Sequence, residues 1–136
     1  MNHQSNTQYG PVRVLAAEDL TAKEGCLVVI DSDGEAALPA AVGDYALHVL
    51  VDGAVASESV GILPLSADRQ IRVRLSGTCS CGDALHLATP DGTVDGMATV
   101  QSAAGDYFSP GVALEDGADG QLVLVRPWPR IATVSA

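Results

Sequence analysis

The stretch SVGILPLSADRQIRVRL, residues 59–75, decides how the chain is read, because SPGVALEDGADGQLVLVRP, residues 109–127, follows the same plan. In each, a glycine (Gly61, Gly111) leads an apolar run, an acidic turn follows (Ala67-Asp68; Gly117-Ala118-Asp119-Gly120), and a glutamine (Gln70, Gln121) opens an alternating segment. Ile71-Arg72-Val73-Arg74-Leu75 alternates without a break. As a strand it places Ile71, Val73 and Leu75 on one face and Arg72 and Arg74 on the other.

Working outward, the first copy runs from Gly25 through Asp33-Gly34, Gly43-Asp44-Tyr45 and Gly61 to the Gln70 strand. The second runs from Gly82 through Asp91-Gly92, Gly105-Asp106-Tyr107 and Gly111 to the Gln121 strand. This alignment gives pseudo-repeats over about 25–75 and 82–126, with a tail over 127–136. A rival register matches Asp52-Gly53-Ala54 to Asp116-Gly117-Ala118; the first is preferred because it keeps the Gly-led and Gln-led strands in phase. Two copies are too few for a solenoid, so the expectation is a small barrel or sandwich in which each copy supplies half of one core.

The rest of the pattern agrees. Short apolar runs such as Cys26 to Ile30, Leu47 to Val51, Leu85-His86-Leu87 and Met97 to Val100 are punctuated by Gly, Asp and Pro, and no window sustains a helical period for three turns. The fold class is all-β, as one domain over residues 25–136. Residues 1–24 read as an N-terminal arm: the start is polar, and Pro11 removes a ladder donor from Tyr9-Gly10-Pro11-Val12-Arg13-Val14-Leu15, so an arm or an edge strand fits that segment better than a central strand.

Hydrophobic residues make up 47% of the chain but aromatics only 4%, so aliphatic side chains must build the core. Such a light core points to gains from association. The net charge of −10, with seven basic residues of which only Lys23 is a lysine, argues against nucleic acid as a partner. No apolar run approaches a membrane span, and MNHQSNTQYGPV lacks the regions of a signal peptide, which suggests synthesis in the cytoplasm.

The order of Gly-led strand, Asp-Gly turn, Val60-Gly61-Ile62 strand, acidic turn and Gln70 to Leu75 strand, recurring as Gly111 to Leu114 and Gln121 to Val125, resembles the bacteriophage capsid cement, or head decoration, proteins. The similarity spans about residues 22–126. It implies a non-enzymatic protein on the outer capsid surface of the virion, bound to the major capsid protein and self-associated, commonly as a homotrimer. The hairpin around Asp52-Gly53 and the tail Arg126-Pro127-Trp128-Pro129-Arg130 lie outside the shared pattern.

Candidate interface residues are Tyr9, Val12 and Val14 in the arm, Arg72 and Arg74 on the alternating strand, and Arg126, Trp128 and Arg130 in the tail. Trp and Arg are over-represented at interface hot spots. The arginine stripe has an internal alternative, pairing with the chain's own carboxylates. Cys79-Ser80-Cys81 is spaced too tightly for the usual chelate, so Cys26, Cys79 and Cys81 read as packing residues. Asp31-Ser32-Asp33-Gly34 and Glu115 to Gly120 lack the full calcium-loop arrangement and read as solvated turns. Without a nucleophile elbow, His48 and His86 read as structural, and no catalytic residue, metal or cofactor is expected. The alternatives are a small barrel that recognises carbohydrate or peptide, and, further off, a hydrolase.

Overall fold

Residues able to hold positive φ end the strands early: Gly25 (φ 87°), Gly34 (77°), Gly82 (94°), Gly92 (87°) and Gly120 (81°) all sit between apolar runs. The computed structural model describes residues 11–135, and among them there is no helix. Ten strands form two five-stranded antiparallel sheets packed together as a sandwich.

The first sheet holds β1 (Val12–Leu15), β2 (Leu27–Ile30), β3 (Ala36–Ala37), β4 (His48–Asp52) and β5 (Ser59–Pro64), in the order β1-β5-β4-β2-β3. The second holds β6 (Ile71–Arg74), β7 (Ala84–Leu87), β8 (Ala98–Thr99), β9 (Gly105–Ala113) and β10 (Leu122–Val134), in the order β6-β10-β9-β7-β8. Adding five to each strand number of the first order gives the second, so the halves share one topology. Each sheet also curls until its outer strands meet. A single parallel bridge, Ala16 to Ala36 in one lobe and Leu75 to Ala98 in the other, joins the end of the first strand to the third.

The duplication holds residue by residue, but in a different register from the one the sequence suggests. Val12 faces Ile62 as Ile71 faces Val125, Val28 faces His48 as Leu85 faces Gly111, and Leu50 faces Ile62 as Ala113 faces Val125. Loop bonds repeat as well. Ala16 N–H reaches Glu58 O at 2.8 Å, as Leu75 N–H reaches Gln121 O at 2.8 Å; Ser57 and Gly120, the matching turn residues, both have positive φ. The Gln70 strand therefore opens lobe two and matches β1, Gly61 matches Leu124, and Gly111 matches His48. The rival register comes within one residue, because Asp52 matches Glu115.

Two expectations change with it. Of the segment read as an arm or edge strand, Val12–Leu15 form β1 at the edge of the first sheet, paired with β5, and Ala16 and Leu20 just beyond it are buried, so this part is tied to lobe one; residues 1–10 of the arm lie outside the described residues. The repeated Gly-Asp-Tyr does not mark equivalent places either. Asp44 accepts the N–H groups of Ala40 and Ala41 in a turn and Tyr45 is exposed, whereas Asp106 and Tyr107 lie in β9 with Tyr107 buried.

The core is also more divided than one shared by two halves. Ala16, Leu20, Val28, Ala36, Leu50, Val60 and Ile62 form a cluster wholly inside lobe one. Their counterparts Leu75, Cys79, Leu85, Ala98, Ala113, Val123 and Val125 form the same cluster in lobe two, enlarged by Leu27, Ala46 and Val49 from the outer face of lobe one. Size is exchanged between positions: Ala16 and Leu50 in one core become Leu75 and Ala113 in the other, a swap that keeps the total volume.

The lobes are joined through that larger cluster and by backbone bonds. Arg74 N–H donates to Gly25 O at 2.8 Å, Leu27 N–H to Gly96 O at 2.7 Å, and Phe108 N–H to Val42 O at 2.6 Å. Phe108 is fully buried in the larger cluster and meets Tyr45 of lobe one edge-on at 6.1 Å. Phe108→Ala is expected to cost about 3–5 kcal/mol in urea unfolding. A loss below about 1 kcal/mol would mean that the ring does not fill this core.

Candidate functional site

Arg126-Pro127-Trp128-Pro129-Arg130 lies within β10. Neither proline has an N–H to donate, and the pairing with β9 shifts register between Pro127 and Arg130. At this irregularity the strands come close: a Cβ on Gly111 would collide with the carbonyl of Arg126 and the amide nitrogen of Trp128, and its φ is +147°. Only glycine fits there.

Trp128 remains 58% exposed, the largest side chain left on the surface. The Arg130 guanidinium lies 3.7 Å from its ring centroid, a cation–π contact, and donates to Ser109 Oγ and to the Trp128 carbonyl, both at 3.2 Å. Ser109 is itself fully buried, so the arginine is held from below. Val112, Leu114, Arg126, Pro127 and Trp128, with Ala67 from the inter-lobe connection, line a groove of about 560 Å³. Its walls are mainly aliphatic and aromatic, with Arg126 as the charged group.

The other predicted site residues go elsewhere. Val12 and Val14 are half-buried against the core of lobe one. Arg72 pairs with Glu115 at 2.7 Å, and Arg74 donates to the carbonyls of Glu24 (2.9 Å) and Gly120 (2.9 Å), so the arginine stripe is engaged within the molecule. Tyr9 lies outside the described residues. The structure thus assembles Arg126, Trp128 and Arg130, and sets the other candidates apart from them.

One pair of sites was not singled out from the sequence. Arg13 on β1 pairs with Asp52 at 2.8 Å, and the other oxygen of Asp52 accepts the Gly61 N–H at 2.5 Å. Arg72 on β6 pairs with Glu115, which also accepts the Leu124 N–H at 3.0 Å. These are the same bracket in each lobe, tying the first strand to the last through a carboxylate at the end of the fourth (Asp52) or just past it (Glu115). Asp52 is held below its ordinary pKa by Arg13 and then the Gly61 N–H; Glu115 is lowered by the Leu124 N–H and then Arg72. The signal lay in Val12-Arg13-Val14 beside Ile71-Arg72-Val73.

Cys26 and Cys79 are buried, which raises their thiol pKa values, while Cys81 is exposed. Asp31, Asp33 and Glu35 bring carboxylate oxygens within 4.8 Å of one another. Asp31 accepts the N–H groups of Asp33 (2.9 Å) and Glu35 (3.0 Å), which shapes the β2–β3 turn. Burial lowers the pKa of His48 and, aided by the Arg130 charge, that of His86. Comparison with protein-family models finds no match, and comparison with curated proteins finds none either.

Trp128→Ala is expected to change folding stability by on the order of 1 kcal/mol or less, since it removes an exposed ring and one cation–π contact. A large fall in melting temperature would place the ring in the core. Acid sensitivity has two parts. The histidines have folded pKa values below 6.5, so the unfolded chain binds their protons first and stability falls as pH drops below about 6.5. The bracket carboxylates have folded values below 3.8 and 4.5, so their contribution is present above those values and is lost at lower pH. Asp52→Asn with Glu115→Gln should flatten the limb below about pH 4.5 and leave the histidine limb in place, read from urea midpoints across pH.

Proposed function

We propose that the protein is a non-enzymatic capsid decoration protein that binds the outer surface of an assembled phage shell and bridges neighbouring copies of the major capsid protein, as a homotrimer on the virion. The observation that carries this reading is the fixed repetition of one backbone plan. Two lobes of identical strand order are joined by backbone hydrogen bonds and a common apolar cluster, so the strand plan of one lobe recurs at a set distance in the other. A body built twice on one plan suits a partner that is itself a repeating lattice. Multivalent contact raises the effective concentration of each bond without requiring any one of them to be strong. The strand pattern that resembles the cement proteins runs through both lobes and supports the same conclusion.

A second reading is a binding module for a peptide or carbohydrate, favoured by the groove beside Trp128. The two readings separate on assembled particles. Mixed with capsids of the virus that carries its gene, the protein should pellet with the shells to a fixed copy number and raise the temperature at which they release their contents. Protein left in the supernatant at saturating concentration, with unaltered shell stability, would overturn the capsid reading.

A further inference from the structure

The joint between the lobes is one instance of a contact for which the duplication supplies a second, unused half. On lobe one, Val49, Val51 and Leu63 form one wall of a cavity of about 300 Å³, and Gln70, Ile71, Arg72 and Leu122 of lobe two form the other. By strand register, the counterparts of Val49, Val51 and Leu63 are Val112, Leu114 and Arg126. Those three line the open groove beside Trp128. The same sheet face thus occurs twice: in the first case the following lobe covers it in part, burying Val49 and leaving Val51 38% exposed, and in the second Val112 and Leu114 stay half-buried beside the exposed Arg126 and Trp128 with no lobe over them.

We propose that the bare face is a docking site for a second copy of this chain, whose lobe one seats on lobe two as lobe two seats on lobe one within the molecule. The incoming surface already exists. The counterparts of Ile71, Arg72 and Leu122 are Val12, Arg13 and Ser59, and Leu15 stands in the place of Arg74. β1 is the outer strand of its sheet, paired along its length with β5 alone, and Leu15 is 47% exposed there. Arg74 gives its N–H to Gly25 O at 2.8 Å, and the Leu15 N–H occupies the matching position for Gly82 O of the preceding molecule. A Cβ on Gly25 would run into Leu122 and Arg74, whereas one on Gly82 would meet nothing within 4 Å. The receiving place is built and open.

Charge permits the same pairing. Residues 11–70 carry ten acidic and three basic side chains, and Arg13, the cation of the incoming face, is already paired with Asp52, while Arg126 and Arg130 flank the ring on the receiving face. The two surfaces in contact are different, so the interface is heterologous and makes a ring if its rotation closes, or an extending chain if it does not. This self-docking would supply the contact of the proposed homotrimer, but it needs no shell, so its failure and the failure of capsid binding are read in separate experiments.

The test uses the full chain, without capsids, in light scattering coupled to size exclusion. The wild type is expected to exceed the 13.9 kDa of one chain by an integral factor, or to grow with concentration. Trp128→Glu blocks the receiving face and Leu15→Glu the incoming one; each variant alone should run as a monomer. Mixed in equal amounts they should form a dimer and nothing larger, because each retains the face the other lacks. Melting curves confirm that each variant is folded, and Trp128→Ser with Leu15→Ser replaces any Glu variant that is not. A monomeric wild type at about 100-fold the concentration of a micromolar Kd, a mixture that stays monomeric, or a Trp128 variant that still assembles would overturn the proposal.

Discussion

Each half of the chain depends on one non-local contact, the pairing of its first strand with its last. β1 lies against β5 and β6 against β10, so about fifty residues must be looped out before either pair can form. The ends of the same first strands, Ala16 and Leu75, also reach the opposite edge of each curled sheet through their bridges to Ala36 and Ala98. The Arg13–Asp52–Gly61 and Arg72–Glu115–Leu124 brackets sit on this seam, where a carboxylate binds a side chain of the first strand and an amide of the last. Both ion pairs are largely exposed, so their value lies in register more than in energy. A one-residue slip at the seam would turn Val60 and Ile62, or Val123 and Val125, out of their cores.

The all-β class and the duplication were legible from alternation and turn residues, since both are local properties. The register was not. Gly-led and Gln-led strands look alike wherever they fall, and the Gly-Asp-Tyr match drew the alignment toward positions with different surroundings. Pro11 and the polar start left Val12–Leu15 as an arm or an edge strand, and the fold takes the second, since a sheet edge tolerates a missing donor. What settles the register is a set of backbone bonds between residues forty or more apart, such as Ala16 to Glu58, and their partners leave little trace in composition. Within the site, Arg126, Trp128 and Arg130 could be selected from the sequence as the Arg-flanked aromatic of an acidic chain. The bulge that projects Trp128, and the fate of Arg72 and Arg74 inside the molecule, required the fold.

The lobes share a backbone plan but not a boundary with solvent. Lobe two has the larger core because it receives Leu27, Ala46 and Val49 from its neighbour, and β9 and β10 continue together past the end of the matching pair in lobe one. In lobe one the chain leaves β5 after Pro64 and crosses to β6; in lobe two it passes Pro127, the counterpart of Pro64, and pairs again from Arg130 to Val134. The two prolines thus mark one place where the second copy has added a ribbon.

Divergence between the copies bears on what that place does. Leu63 and Leu65, which pack against the cluster joining the lobes, are matched by Arg126 and by Trp128, each one residue to either side of the paired prolines. A face that had merely lost its neighbour would be expected to become polar at both positions, because an isolated exposed ring contributes nothing to a folded monomer and risks nonspecific association. Here one position became charged and the other acquired the chain's sole tryptophan, with Arg130 fixed across its ring by the buried Ser109. Fixing the arginine also limits the side-chain freedom lost when the ring is covered, which is the cost that weakens most surface contacts. An ordered aromatic with charged flanks, on a face whose twin packs in part against the other lobe, is the composition that the proposed self-docking would use.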